Sequence, residues 1–189
     1  MQISLIILYI NDLAWILPPF RQKGTKYFIY FFLLAFSDPI LFIINLVQSV
    51  ESRPYYTIIG TLVLISLLRK KPYYLLLLLS IISIIFLNDE GLKIINFFIH
   101  FATLLYFLKD FLLSTSQKSK LVIFNLILVM YEASIMMKFA ASYFFTVGYL
   151  YYYLTTAFEI LIAVFFTIYN EKNSPVIKLQ MEPSQTENL

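Results

Sequence analysis

The chain has 189 residues, 60% hydrophobic and 13% charged, with a net charge of +3, no cysteine and a mean hydropathy of +0.80. Soluble domains carry about a quarter charged residues and somewhat under half apolar ones. The composition therefore excludes a disordered tail, a nucleic-acid binder, a disulfide scaffold and an ordinary cytosolic enzyme. One domain of an integral membrane protein is left.

A spanning helix needs roughly 20 mostly apolar residues. Charged or proline-marked breaks divide the chain, in order, into the runs Ile3–Pro18, Tyr27–Val50, Pro54–Leu68, Tyr73–Leu87, Leu92–Leu113, Leu121–Phe144 and Gly148–Tyr169. The third and fourth, at about 15 residues each, suit a small tilt or a thinned bilayer. The first is read as a helix and not as a signal peptide, because no basic residue precedes it, Asp12 interrupts it, and it ends in Pro18-Pro19 without a small-residue cleavage site. Brief loops favour antiparallel neighbours, and the runs lack the alternation of barrel strands. Since unpaired backbone cannot face lipid, the predicted fold is all-α: a polytopic, multi-pass membrane protein whose seven-transmembrane-helix bundle covers residues 1–169. A flexible polar cytoplasmic tail, with Pro175 and Pro183, follows over 170–189.

Short-loop Lys and Arg set the orientation. Arg21, Lys23 and Lys26 follow the first run, Arg69, Lys70 and Lys71 the third, Lys118 and Lys120 the fifth, and Lys172 and Lys178 the seventh. The alternate loops carry Arg53 and Lys93, offset by Glu51, Asp89 and Glu90. The N-terminus is thus expected outside and the C-terminus in the cytoplasm. Tyr55, Tyr56, Tyr149 and Tyr151 to Tyr153 fall at outer ends, and Tyr27, Tyr30, Tyr73 and Tyr74 at inner ends, as an aromatic belt requires. Lys138, Lys109 and Asp110 lie near run ends and are expected to reach the headgroups.

Four acids and the single histidine lie deep inside the runs: Asp12, Asp38, His100, Glu132 and Glu159. At a rise of about 1.5 Å per residue all five sit about 12–16 Å from a run end, near the middle of the roughly 30 Å hydrocarbon layer. Each has polar company along its helix: Asn11 beside Asp12, Asn45 beyond Asp38, Asn96 with His100, Asn125 with Glu132, and Thr155 and Thr156 with Glu159. The third and fourth runs offer only small polar residues and are expected to be supports. Pro39 within the second run is expected to free the carbonyl of Ala35 close to Asp38.

Intramembrane ionisable groups usually face a wet cavity or bundle interior. Four carboxyls with one imidazole make an oxygen-rich environment suited to a proton, a cation or a small cationic solute, and close carboxyls do not all ionise together. The leading expectation is a proton- or cation-coupled carrier, without cofactor or resident metal, in a bacterial cytoplasmic membrane; the Ile, Phe, Tyr, Asn and Lys bias supports an AT-rich bacterial source. There is no P-loop, GxGxxG, CxxC or His-pair motif, so enzymatic turnover is the alternative. Phe36-Ser37-Asp38 and Tyr151–Ile162 resemble segments of the lysoplasmalogenase-like membrane proteins, although that family's glycine before the aspartate is replaced by Ser37. The resemblance covers these two short segments, implies a membrane-embedded lipid hydrolase, and carries no site residue across. A further alternative is a non-catalytic sensor, assembly or scaffold subunit, which would require a partner protein.

Overall fold

A computed structural model of the chain describes residues 2–49, 51–68, 73–144 and 148–179. The fold is all-α apart from one small sheet. In chain order it comprises α1 (Gln2–Ile16), α2 (Pro18–Gln22), α3 (Phe28–Val47), α4 (Ser52–Leu68), α5 (Tyr73–Phe86), α6 (Asp89–Lys118), β1 (Lys120–Val122), α7 (Ile123–Phe144), α8 (Tyr149–Ile168) and β2 (Val176–Lys178). Four helices are long and apolar enough to cross a membrane: Phe28–Val47, Asp89–Ser116, Ile123–Ala141 and Leu150–Ile168. Helices α4 and α5 are apolar but shorter. The basic loop Arg69 to Lys71 lies outside the described residues.

α6 starts where its sequence signals a start. Asn88 accepts from the Gly91 backbone N–H at 3.0 Å, and Asp89 and Glu90 occupy the first turn, where negative charge complements the helix dipole. The helix reaches Lys118, five residues beyond the predicted fifth run, and stops at Ser119 in the left-handed conformation (φ 46°). α3 runs on through Pro39.

Two features were not legible as spans. Pro18 and Pro19 open the short α2, a position where the missing N–H costs no helical bond. α2 caps the end of α8: the buried Gln22 amide donates to the carbonyls of Phe166 (3.0 Å) and Tyr169 (2.9 Å), and Arg21 Nε donates to that of Ile168 (2.9 Å). Terminal carbonyls of a helix lack intrahelical partners, and these side chains supply them. Second, Leu121 and Val122, predicted to begin the sixth span, form β1 and pair antiparallel with Ile177 and Val176 of β2. The same return of the chain caps α7, because Pro175 O accepts from Ile123 N at 3.1 Å and Ser174 Oγ accepts from Phe124 N at 2.9 Å. Residues 170–179 thus fold back on the α6–α7 junction; 180–189 lie outside the described residues.

Helix α1 packs on α3 and α8, α4 on α3 and α6, and α6 on α7, while α5 touches α4 and α6 at the periphery. The buried residue of α5 is Ser80, whose hydroxyl lies 2.6 Å from that of Thr61. Much of the outside is apolar, with Val47 86%, Phe86 79% and Leu161 68% exposed. Such continuous apolar exterior is foreign to a water-soluble monomer. Inside, an aromatic cluster joins α1, α3, α6, α7 and α8: Trp15, Tyr30, Phe31, Phe107, Phe124 and Phe166. Phe31 meets Phe166 edge-on at 4.7 Å between centroids, and Tyr30 meets Phe107 the same way at 5.2 Å.

Candidate functional site

A cavity of about 730 Å³ lies above this aromatic cluster, walled by α1, α3, α4, α6, α7 and α8. Its depth follows from the helix directions. Arg53 and Lys93 come from the early turns of α4 and α6, and Phe139 from the late turns of α7, so the cavity extends towards the end where α4, α6 and α8 begin. Trp15 and Tyr131, with centroids 4.6 Å apart, form its floor over Phe31 and Phe166. The volume is in the range of small-molecule sites, about 300–1,000 Å³.

Four of the five singled-out residues, Asp12, Asp38, His100 and Glu159, line this one cavity, together with Asn11 and Asn96. Asp12 and Asp38 come from α1 and α3 and line the same cavity. Tyr56 donates to Asp38 Oδ1 at 2.7 Å, and Tyr55 donates to the Ser37 carbonyl at 2.7 Å. These two tyrosines, expected in an aromatic belt, instead tie α4 to α3 beside Pro39.

Glu132 is behind the wall. It is 0% exposed, with Oε1 accepting from the Tyr30 hydroxyl at 2.8 Å and Oε2 lying 3.1 Å from His100 Nδ1. Three helices therefore meet on one carboxylate, which reaches the cavity only through the imidazole. The remaining supporting residues go elsewhere. Asn45 is exposed near the end of α3. Asn125 is buried at the opposite end of α7, donating to Ser114 Oγ at 3.2 Å. Thr155 is bonded to its own helix at the Tyr151 carbonyl (3.0 Å), and Thr156 is buried on α8.

The expected excess of acid inside the cavity is not what the walls present. Three acids, Asp12, Asp38 and Glu159, share them with three cations, Arg53, Lys93 and Lys138. Lys138 does not reach for headgroups: its Nζ lies 2.6 Å from Glu159 Oε2, and Ser134 Oγ stands 3.5 Å from Oε1 of the same carboxylate. Arg53 pairs with Asp89 across α4 and α6, and Lys93 with Glu90 within α6. Nor is the third predicted span a mere support, for α4 contributes Arg53, Tyr56, Ile59 and Gly60 to the cavity. The fourth, α5, contributes none of its described residues to it. Sequence periodicity cannot reveal Lys138, whose partner sits on another helix.

The opposite end has its own ionic cluster. Lys26, in the turn before α3, lies 2.6 Å from Asp110 Oδ2 and 3.4 Å from Glu171 Oε1, and Tyr27 donates to Asp110 Oδ2 at 3.0 Å. Burial pulls the Lys26 ammonium down in pKa, but its hydrogen bond to Asp110 and the charges of Glu171 and Asp110 outweigh that, leaving it above the ordinary 10.5. Asp110, expected at the headgroups, is thus an anchor joining α6 to the α2–α3 turn. Among the described residues no group of three or more His, Cys, Asp or Glu is placed to hold a metal ion. Compared with models of protein families, with curated proteins and with solved structures, the chain has no match.

Proposed function

We propose that the chain crosses the membrane seven times, amino end outside and carboxyl end in the cytoplasm, and that its cavity hydrolyses an amphiphilic, lipid-like substrate. The loop distribution of Lys and Arg supports the orientation. It makes the cavity open towards the outer face, with the aromatic cluster sealing the inner side. At 15, 17 and 14 residues, α1, α4 and α5 fit a locally thinned bilayer.

The observation that carries the chemistry is how the acids are partnered. Glu159 is matched by Lys138, and Glu132 by His100 and Tyr30. Asp12 and Asp38 stand on two helices at the cavity wall, Asp38 held by the Tyr56 hydroxyl. A cation carrier would aim its carboxylates at the ion; here a resident lysine takes one of them. Carboxyl groups at a cavity wall suit the role of a general acid that protonates a leaving group or an unsaturated ether. Arg53 and Lys93 near the mouth are in exposed ion pairs with Asp89 and Glu90, which an anionic headgroup can replace, and Leu34, Ile59, Val63 and Ile135 provide an apolar wall.

The test is turnover of lysophospholipids, with ester, ether or vinyl-ether linkages, by the purified protein in detergent micelles. Asp38→Asn is expected to lower turnover at least about 100-fold, the usual span of a general acid, with the helical content unchanged. The second reading is the proton-coupled carrier, favoured by the Tyr30–Glu132–His100 chain, which leads polar groups from the cavity into the core. Absence of turnover together with Asp38-dependent proton flux in proteoliposomes would replace hydrolysis by transport.

A further inference from the structure

We infer that His100 is the proton acceptor of the cavity, fixed in one tautomer by the buried Glu132 carboxylate, and that it acts on a water molecule or a ligand hydroxyl. The inference deepens the hydrolytic reading, supplying a base to work with the acids Asp12 and Asp38, and rests on that reading only for its use.

The geometry constrains the protons. A carboxylate accepts hydrogen bonds and donates none. Tyr30 satisfies Glu132 Oε1 at 2.8 Å, so Oε2 needs a second donor, and the nearest group is His100 Nδ1 at 3.1 Å. With Glu132 fully buried, an unsatisfied oxygen there would carry the full desolvation penalty. With Glu132 as the carboxylate, the hydrogen of this pair is assigned to Nδ1 and the lone pair to Nε2. His100 is 19% exposed, lines the cavity and rests on the ring of Phe139 at 5.3 Å. Its ring is thus held on one side by a carboxylate and on the other by packing, with Nε2 the nitrogen left to the cavity. This is the arrangement in which a buried acid orients an imidazole for general-base work. In the step, the O–H bond of water breaks, its proton forms N–H at Nε2, and the electron pair stays on the oxygen that attacks. The imidazolium so formed faces the Glu132 carboxylate, which stabilises its charge. Glu132 is a positioning residue.

Because His100 is the single histidine of the chain, its tautomer can be read without site assignment. In protein labelled with ¹⁵N-histidine and reconstituted in nanodiscs, two-bond ¹H–¹⁵N correlation at neutral pH is expected to show Nδ1 protonated and Nε2 bare. Glu132→Gln is expected to reverse the tautomer, since the amide can accept from Tyr30 and donate to Nδ1. Diethyl pyrocarbonate, which needs a bare and reachable imidazole nitrogen, is expected to modify His100 in the folded wild-type protein and at least about tenfold more slowly in Glu132→Gln. An Nε2-protonated wild type, a tautomer unchanged in Glu132→Gln, or a folded wild type inert to the reagent would overturn the assignment. Should Glu132→Gln fail to fold, the wild-type spectrum still decides, and Tyr30→Phe, expected to keep Nδ1 protonated, is the second variant. None of these readouts depends on turnover, so failure of the tautomer and failure of hydrolysis are separate results.

Discussion

Replacing Lys138 by methionine keeps its length and removes the cation that stands 2.6 Å from Glu159. At an effective dielectric of about 20, the gross attraction over that distance is roughly 6 kcal/mol. Desolvating the two ions takes back several kcal/mol, so the intact pair contributes little net stability. The single substitution is different, because it leaves the Glu159 side chain, 9% exposed, as a charge without its partner. Breaking a buried pair from one side costs about 3–5 kcal/mol, and the adjoining cavity places this case near the lower figure, about 3 kcal/mol. Glu159→Gln leaves a lysine that is 25% exposed and whose stem can carry the ammonium towards water, for a cost of about 1 kcal/mol. The double variant is expected to lose about 1 kcal/mol or less, giving a coupling of about 3 kcal/mol. Reversible unfolding in mixed SDS and nonionic-detergent micelles, followed by far-UV circular dichroism, measures all three. A double variant that loses the sum of the singles, about 4 kcal/mol, would refute the ion-pair account.

Tyr30→Phe is expected to destabilise the protein by about 1.5–3 kcal/mol in the same assay, the worth of a hydrogen bond to a charged acceptor; a loss below about 0.5 kcal/mol would mean that Glu132 does not depend on it. Gln22→Ala removes two bonds to α8 carbonyls and is expected to cost about 1–3 kcal/mol, with faster amide hydrogen exchange confined to the last turn of α8 and to α2. The Lys26 cluster sets an alkaline limit. Its folded pKa lies above the ordinary 10.5, so its contribution is complete below that pH and disappears as pH rises through the folded value. Stability measured between about pH 7 and 9 should therefore be the same in wild type as far as this cluster is concerned, while Lys26→Met should reduce the stability lost above pH 10.5.

Each apolar run predicted a helix because burial in hydrocarbon leaves a long stretch of backbone no other way to satisfy its polar groups. The same hydropathy says nothing about α2, five residues defined by two prolines and by carbonyls at the distant end of α8. It also misassigned Leu121 and Val122, which are apolar enough for a span yet lie in a strand whose partner is more than fifty residues away. For the site, rise per residue gives depth, and depth places Asp12, Asp38, His100, Glu132 and Glu159 at one level, of which all but Glu132 line the cavity. Rotation about each helix is not fixed by depth. Asn45 and Asn125 share a face with their acids by spacing, yet lie far enough along their helices to leave the cavity. Sequence alone reads Lys138, Arg53 and Tyr56 as a headgroup lysine, a loop charge and a belt tyrosine, because each acquires its place at the cavity from a side chain on a neighbouring helix.

Trp15 is the single tryptophan of the chain, and it lies in the cavity floor against Tyr131. The protein consequently carries its own optical gauge. A solute that settles on that floor displaces whatever solvent borders the indole, so its emission should move in wavelength or intensity as the cavity fills, with no dye or label attached. Titrating candidate amphiphiles against intrinsic fluorescence turns the search for what enters the cavity into a binding isotherm, whatever chemistry follows.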